Sequence, residues 1–144
     1  MGDRFTFGVV DKGGDVLYLY SHWGGGDWDT NLKQALWEAG AQSNSCERAN
    51  RIVMSWLIGD GWDSKSGYAF SINRPLDTDY GFIPVVDFLN NKVTFYEYDN
   101  GSLGHKLVEL SIIKYLNNGG IIHEMLDWAM NEHNEVREIL NVTL

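Results

Sequence analysis

FTFGVVDKGGDVLYLY, residues 5–20, decides the fold class of this chain. Its two ends, Phe5–Val10 and Val16–Tyr20, are apolar runs rich in β-branched and aromatic residues, and a turn-forming segment with two glycines separates them. Two such runs around a glycine-containing turn predict a β-hairpin. The first predicted elements are therefore two paired strands.

Two helices are predicted after this hairpin. The first runs from about Asp29 to Gly40, and its apolar stripe at i, i+3, i+4 and i+7 consists of Leu32, Ala35, Leu36 and Ala39. The second starts near Asn44, with Glu47 three residues later in a capping-box arrangement, and ends at Gly59. Its predicted buried face consists of Ala49, Ile52, Val53 and Trp56.

The second half of the chain is predicted to add three strands and more helix. Strands are expected at Tyr68–Ile72, Phe82–Leu89 and Lys92–Tyr98, the last two forming a second hairpin. Because proline has no N–H group, Pro84 predicts an edge position or a bulge for its strand. After a turn at Asp99–Ser102 the remainder is predicted to be helical, with apolar stripes at Ile122, Met125, Leu126 and Ala129 and at Val136, Ile139 and Leu140.

Strands and helices alternate too irregularly for a doubly wound sheet. The predicted fold is α+β, with a mainly antiparallel sheet of about five strands packed with about three to five helices. A length of 144 residues suits one domain. Residues 1–144 are therefore expected to form a single α+β domain.

Charge and composition exclude several functions. The formal net charge is −9 and the chain has no cluster of Lys or Arg, so direct binding of nucleic acid is not expected. Cys46 is the single cysteine; it cannot form an internal disulfide and is predicted to be a small core residue. The sequence has no signal-peptide pattern and no apolar run near the ~20 residues that span a bilayer. The expected location is the cytoplasm, without membrane contact.

The loop Ser21-His22-Trp23-Gly24-Gly25-Gly26 is the predicted ligand-binding site. Glycines let the backbone approach a ligand closely, His22 can donate or accept a proton near neutral pH, and Trp23 can stack on a planar ring. The helix that follows offers free N–H groups, which attract anions. These features suit a small polar ligand, including one derived from a nucleotide.

Two observations favour a simpler interpretation of the same loop. Asp27 and Asp29 lie at the same helix start, where carboxylates satisfy the N–H groups and repel phosphate. The loop also matches neither the P-loop nor the Rossmann fingerprint. The alternative is a glycine-rich connection in which Trp23 fills the core and His22 bonds a carbonyl group.

A second polar cluster, His123, Asp127 and His133, has a spacing similar to that of zinc-binding helices. His123 and Asp127 are one helical turn apart and can share a face. Met130 stands where the zinc motif has glycine, so His133 is expected to point elsewhere. We interpret this segment as a solvated helix face and predict neither a metal nor a cofactor.

Three tryptophans lie outside or beside the helical stripes, namely Trp37, Trp62 and Trp128. Each is expected to widen a buried face. Two of them exposed together would instead mark a protein-binding patch.

The run DVLYLYSHWGG, from Asp15 to Gly25, together with Arg51-Ile52 in the second helix, resembles a group of small uncharacterised proteins encoded by bacteriophages and prophages. The Tyr-Ser-His-Trp-Gly-Gly segment is its distinctive part, and the resemblance covers about the first third of the chain. It implies a phage accessory protein acting inside a bacterial cell. Such proteins often inhibit host or defence proteins or sequester nucleotide signals. The resemblance assigns no catalytic residue.

Three functional hypotheses follow. The first is a non-enzymatic protein that binds a small polar ligand at the Ser21–Gly26 loop and so counters or modulates host processes. The second is a protein–protein inhibitor that contacts a host or defence protein through an acidic and aromatic surface. The third is a small hydrolase that uses His22 with an Asp or Glu, which no motif supports. Homodimerisation would suit the first two, because a symmetric interface covers exposed rings.

Overall fold

Six β-strands and four α-helices form the part of the chain that the structure describes. The structure, a computed structural model, describes the backbone of residues 3–42 and 45–143 and the side chains of residues 3–40 and 45–132. The strands are β1 (Phe5–Val10), β2 (Val16–Ser21), β3 (Tyr68–Ile72), β4 (Phe82–Asp87), β5 (Lys92–Asp99) and β6 (Ser102–Ser111). The helices are α1 (Trp28–Gln42), α2 (Cys46–Ile58), α3 (Ile112–Leu116) and α4 (Ile121–Thr143), and a 3₁₀ turn spans Gly59–Asp63.

The strands form one sheet in the order β3-β2-β1-β4-β5-β6. Neighbouring strands are antiparallel, except that β1 and β4 are parallel. The α+β prediction and the β1–β2 hairpin are confirmed, but the sheet is mixed rather than purely antiparallel and has six strands rather than five. The parallel pair arises because residues 73–81 carry the chain from β3, at one edge of the sheet, to the far side of β1, where β4 begins. The apolar pattern of a strand does not reveal such a long-range neighbour.

The additional strand is β6, which the sequence analysis assigned to helix. Asn100 and Gly101 both have positive φ angles, 46° and 92°, and turn the chain from β5 into β6. Asn-Gly is the preferred pair for this kind of hairpin turn. The pairing of β5 with β6 shifts register at Phe95/Tyr96 and again at Tyr96/Tyr98. These irregularities interrupt the two-residue alternation of apolar and polar side chains by which a strand is recognised in sequence.

Pro84 lies in a central strand, so the edge prediction was wrong. All six residues of β4 are buried. The Tyr98 N–H donates to the Gly81 carbonyl, and in an antiparallel pair every second residue bonds the same neighbour. The backbone groups of Ile83 and Val85 therefore face β5, and those of Pro84 face β1. The parallel register with β1 includes only Val85 and Val86 of this strand. The missing N–H of Pro84 therefore falls just before the strand begins to pair with β1.

The main core lies between the helices and one face of the sheet. Alternate residues of β1, Phe5, Phe7 and Val9, are buried there against the apolar stripes of α1 and α2. Trp28 at the start of α1 stacks on Phe5, with the ring centroids 5.5 Å apart. The predicted stripes of α1 and of the first part of α4 are confirmed, since Leu32, Leu36, Ile122 and Leu126 are all buried. The stripe at Val136, Ile139 and Leu140 lies outside the described side chains.

The opposite face of the sheet has a smaller apolar cluster built around Tyr18, Ile83 and Val85. Gly8 in β1 makes room for it. A Cβ atom on Gly8 would lie 3.1 Å from Cε1 of Tyr18 and 3.2 Å from a methyl group of Val85. The glycine therefore lets the Tyr18 ring lie across β1, and burial raises the pKa of Tyr18 to about 12.

The start and the surface of α2 differ from the prediction. Ser45 is the N-cap, and its hydroxyl accepts a hydrogen bond from the Arg48 N–H. The third helical position is therefore Arg48 and not Glu47, so the capping box was wrong; Asn44 itself lies outside the described residues. Trp56, predicted on the buried face, is exposed. Cys46 is buried as predicted, with Sγ 3.6 Å from the Val10 carbonyl oxygen.

Candidate functional site

The Ser21–Gly26 loop connects the end of β2 to the start of α1. Its residues contact two different parts of the protein. His22 and Trp23 lie toward Gly67, which precedes β3: the His22 N–H donates to the Gly67 carbonyl, and the Trp23 ring lies where a Gly67 side chain would be. Nδ1 of His22 is 2.9 Å from the Tyr20 hydroxyl. Trp23 is 61% exposed and does not fill the core.

The glycines of this loop pack closely against other parts of the same protein. A Cβ on Gly24 would lie 2.6 Å from the hydroxyl oxygen of Ser21, which is buried. A Cβ on Gly25 would overlap the Tyr80 ring, and one on Gly26 would lie 2.9 Å from Oδ2 of Asp3. The glycines therefore allow the loop to close over Asp3 and Tyr80.

Asp3 anchors the Ser21–Gly26 loop through backbone hydrogen bonds. Its backbone N–H donates to the His22 carbonyl, and its own carbonyl accepts from the Gly25 N–H. The Tyr80 hydroxyl donates to Oδ1 of Asp3 over 2.6 Å. This hydrogen bond, together with burial, raises the pKa of Tyr80 to about 12. A carboxylate thus already lies against the Gly25–Gly26 backbone, in the loop where the sequence analysis expected a small polar ligand.

Arg4 fixes the neighbouring segment that leads to Tyr80. Its guanidinium lies 2.7 Å from an Asp77 carboxylate oxygen and 2.9 Å from Oδ1 of Asp79. The Arg4 N–H also donates to Oδ2 of Asp79, and the Asp79 N–H donates back to the Arg4 carbonyl. The hydrogen bonds from Arg4 hold the pKa of Asp79 below its usual value. Tyr80 is therefore held by Asp3 through its hydroxyl group and by Arg4 through the preceding residue, Asp79.

The first turn of α1 contacts α3 and α4 through Asp29. Its carboxylate accepts a hydrogen bond of 2.6 Å from the Tyr115 hydroxyl and lies 3.1 Å from Nζ of Lys33. Nε2 of His123 is 3.2 Å from the same carboxylate, and Lys33 also donates to the Gly119 carbonyl. Burial, followed by the bond to Asp29, raises the pKa of Tyr115. This network fixes the His123 ring at the start of α4.

A cavity of about 250 Å³ lies between the glycine loop and α4. We call it the Gly–His cavity, and its lining consists of Gly25, Gly26, Trp28, Tyr80, Phe82, His123, Leu126, Asp127 and Met130. Two polar clusters that the sequence analysis treated separately, the glycine loop and the His123–Asp127 turn, therefore meet at one place. Ser21, His22, Trp23 and Gly24 do not line it.

Several lining residues had no signal in the sequence. Trp28 and Phe82 are core residues whose rings meet at 5.2 Å, and Tyr80 lies in an irregular loop. Trp28 also contacts the His123 ring edge-on, with centroids 5.5 Å apart. They become part of the site only because α4 packs beside the start of α1, a contact that no local pattern encodes.

The zinc-like spacing on α4 does not form a metal centre in the described part of the chain. His123 lies against Asp29 of α1, and the side chain of His133 is outside the described residues. Among the described residues, no group of three or more His, Cys, Asp or Glu side chains is placed to hold a metal ion. Burial raises the pKa of the Cys46 thiol.

The tryptophans that were expected to widen buried faces are instead exposed. Trp37, Trp62 and Trp128 are 68%, 55% and 67% exposed, and Trp56 is 47% exposed. Trp37 and Trp56 share an open hollow between α1, α2 and the end of α3. Its other lining residues are Lys33, Gln34, Glu38, Leu116 and Asn117. Two exposed tryptophans therefore do occur together, but Trp56 is not one of the three tryptophans named in the sequence analysis.

No family model, curated protein or solved structure matches this chain. Among the described residues, no helix combines the length and the apolar character that crossing a membrane requires.

Proposed function

We propose that this protein binds a small, polar, uncharged or cationic ring compound in the Gly–His cavity and does not transform it. The observation that carries the proposal is the convergence of Gly25 and Gly26 with His123 and Asp127 on one aromatic-walled cavity. Ligand sites typically have mostly apolar walls and a few placed polar groups. Here Trp28, Tyr80 and Phe82 provide the apolar walls.

The size of the cavity restricts the ligand. A water molecule occupies about 30 Å³ in the liquid, so a cavity of about 250 Å³ holds the volume of about eight waters. That volume suits one sugar ring or one nucleobase. A complete nucleotide would extend out of the cavity, so we expect the base or a similar ring to be the part of a nucleotide-derived ligand that the cavity holds.

The charge around the cavity disfavours phosphate. Asp127 lies in the lining, and the Asp3 carboxylate lies behind the Gly25–Gly26 backbone. Asp29, which contacts His123, is paired with Lys33. Among the described residues that line the cavity there is no Lys or Arg. Carboxylates attract donors and cations and repel anions. We therefore expect hydrogen-bond donors on the ligand to meet Asp127 and His123, and its ring to meet Trp28 or Tyr80.

The biological setting comes from the resemblance to phage and prophage proteins. On that basis the protein is an accessory protein that acts in the cytoplasm of a bacterial host and counters or modulates host processes by sequestering its ligand. Ligand binding, unlike catalysis, requires a fixed cavity but no reactive group. Hydrolysis by His22 remains an alternative, and turnover of a panel of esters and phosphoesters would support it.

Native mass spectrometry of protein purified from bacterial cells tests the proposal. We expect extra mass that disappears on denaturation in the wild type and is lost in His123→Ala. His22→Ala is the matched control, because it removes an imidazole from the other side of the loop; it should retain the ligand. Loss in His22→Ala alone would move the site to His22 and Trp23, and full retention in both variants would contradict the cavity as the site.

A second function is favoured by the hollow that Trp37 and Trp56 share. We propose as the alternative that it receives a basic, partly apolar segment of a host or defence protein, because tryptophan faces attract Lys and Arg and the chain carries a net charge of −9. Trp37→Ala should then weaken a salt-sensitive complex at least 10-fold, since interface tryptophans commonly contribute more than about 1.4 kcal/mol. Trp128→Ala, equally exposed but outside the hollow, should leave the complex intact.

A further inference from the structure

The outer edge of β3 lacks the features that normally protect a sheet edge. In the described part of the chain β3 pairs with β2 alone. Its sequence, Tyr-Ala-Phe-Ser-Ile, has no charge and no proline, and its pairing has no register shift. The opposite edge, β6, has Lys106, Glu109 and two register shifts. Natural sheets use charges, prolines and bulges to prevent edge pairing, so β3 is the edge left open to a further strand.

The hydrogen bonds to β2 show which backbone groups of β3 point outward. The Asn73 N–H donates to the Val16 carbonyl, and the His22 N–H donates to the Gly67 carbonyl. In an antiparallel pair the bonded residues alternate, so Gly67, Ala69, Ser71 and Asn73 face β2. The N–H and C=O groups of Tyr68, Phe70 and Ile72 therefore point away from the sheet.

We infer that β3 pairs antiparallel with β3 of a second copy of this chain, with Phe70 on the two-fold axis. In that register Phe70 lies opposite its own copy, and Tyr68 lies opposite Ile72. The outward groups of these three residues then form three bonded pairs, each with two N–H···O bonds, so about six backbone hydrogen bonds result. The two sheets join into one.

The side chains favour the same arrangement. Residues opposite each other on paired strands share a face, and Leu17 and Leu19, which pair with Ile72 and Phe70, pack on the helix side. Phe70 and Ile72 therefore lie at the open margin of that side, where they are 50% and 68% exposed. A two-fold axis perpendicular to the sheet brings the two margins together and buries both side chains in each copy.

Charge points to the same segment as the place where two copies meet. Two chains of net charge −9 repel each other over most of their surfaces. Residues 68–72 are uncharged. Self-pairing at β3 thus brings the two chains together along a strand that has no acidic side chain. The same strand of an identical copy also presents the matching alternation of backbone donors and acceptors.

Sedimentation across micromolar to millimolar concentration tests this pairing. The expected mass is twice the 16.3 kDa of one chain, falling to the single-chain mass in Phe70→Lys. Leu89→Lys, a change of a similarly exposed side chain outside β3, should remain dimeric. A wild type that is monomeric throughout, or a dimer that survives in folded Phe70→Lys, would overturn the inference.

Hydrogen exchange on the wild type tests it without a mutation. In a β3–β3 dimer the amides of Tyr68, Phe70 and Ile72 are protected together with those of Ala69 and Ser71, and their protection rises with protein concentration. Protection confined to Ala69 and Ser71 at the highest concentration would show that the edge is open and would overturn the pairing.

Discussion

The Tyr80 hydroxyl donates a hydrogen bond of 2.6 Å to the Asp3 carboxylate, across 77 residues of sequence. Asp3 in turn bonds the backbone of His22 and of Gly25. One side-chain pair therefore links the segment before β1, the glycine loop and the loop before β4. The shape of the Gly–His cavity depends on this link, because Tyr80 and Gly25 both line it.

Tyr80→Phe should destabilise the protein by about 1–2 kcal/mol at neutral pH, since it removes a hydrogen bond to a charged acceptor. The pKa of Tyr80 is raised to about 12 in the folded protein, above the ordinary tyrosine value. A group whose pKa is raised on folding contributes stability that is fully present below its pKa in the unfolded chain, about 10, and that is lost as the pH rises through its pKa in the folded protein. The difference in unfolding free energy between wild type and Tyr80→Phe should therefore shrink as pH rises from about 10 through about 12. A difference that stays constant over this range would contradict the assignment.

Gly25→Ala and Gly40→Ala should have opposite effects. A Cβ on Gly25 would overlap the Tyr80 ring and approach Oδ1 of Asp3, and overpacking of this kind costs about 1–3 kcal/mol. A Cβ on Gly40, within α1, meets no atom within 4 Å, and alanine in a helix is favoured over glycine by up to about 1 kcal/mol. Chemical denaturation of the two variants beside the wild type measures both effects. Equal destabilisation would show that the loop has no special need for glycine at position 25.

Tyr115→Phe should cost about 1–3 kcal/mol, because Asp29 then loses the donor with the shortest bond to its carboxylate. The double variant Asp29→Asn with Tyr115→Phe should cost less than the sum of the single changes, since both remove the same bond. A double-mutant cycle by denaturation measures this coupling. Additive costs would show that the Asp29–Tyr115 bond does not contribute to stability. Tyr98→Phe, on the other face of the sheet, is the control.

The sequence predicts the elements of this fold better than their arrangement. The β1–β2 hairpin, β3 and the buried stripe of α1 are encoded in residues that are neighbours along the chain. The parallel contact between β1 and β4 joins Gly8 to Val85, and no local pattern specifies it. The β6 strand was missed because two register shifts break its alternation, although Asn100-Gly101 was a usable hairpin signal.

The candidate site shows the same limit. The glycine loop and the His123–Asp127 turn were each recognised from their own residue types. Their meeting depends on α4 packing beside α1, about 100 residues away in sequence. The burial of Trp56 was predicted wrongly for a related reason. Trp56 has helical spacing with the core residues of α2, yet it is exposed beside Trp37.

The most direct test of the ligand proposal is an NMR titration of the backbone amides. The wild type would be titrated with adenine, cytosine, ribose and glucose, and separately with inorganic phosphate and nucleoside 5′-monophosphates. We predict that at least one neutral ring compound shifts the amides of Gly25, Gly26, His123 and Asp127 in a saturable manner, and that the phosphates bind more weakly. The proposal would be contradicted if no compound shifted these four amides, or if shifts occurred only around Trp37 and Trp56.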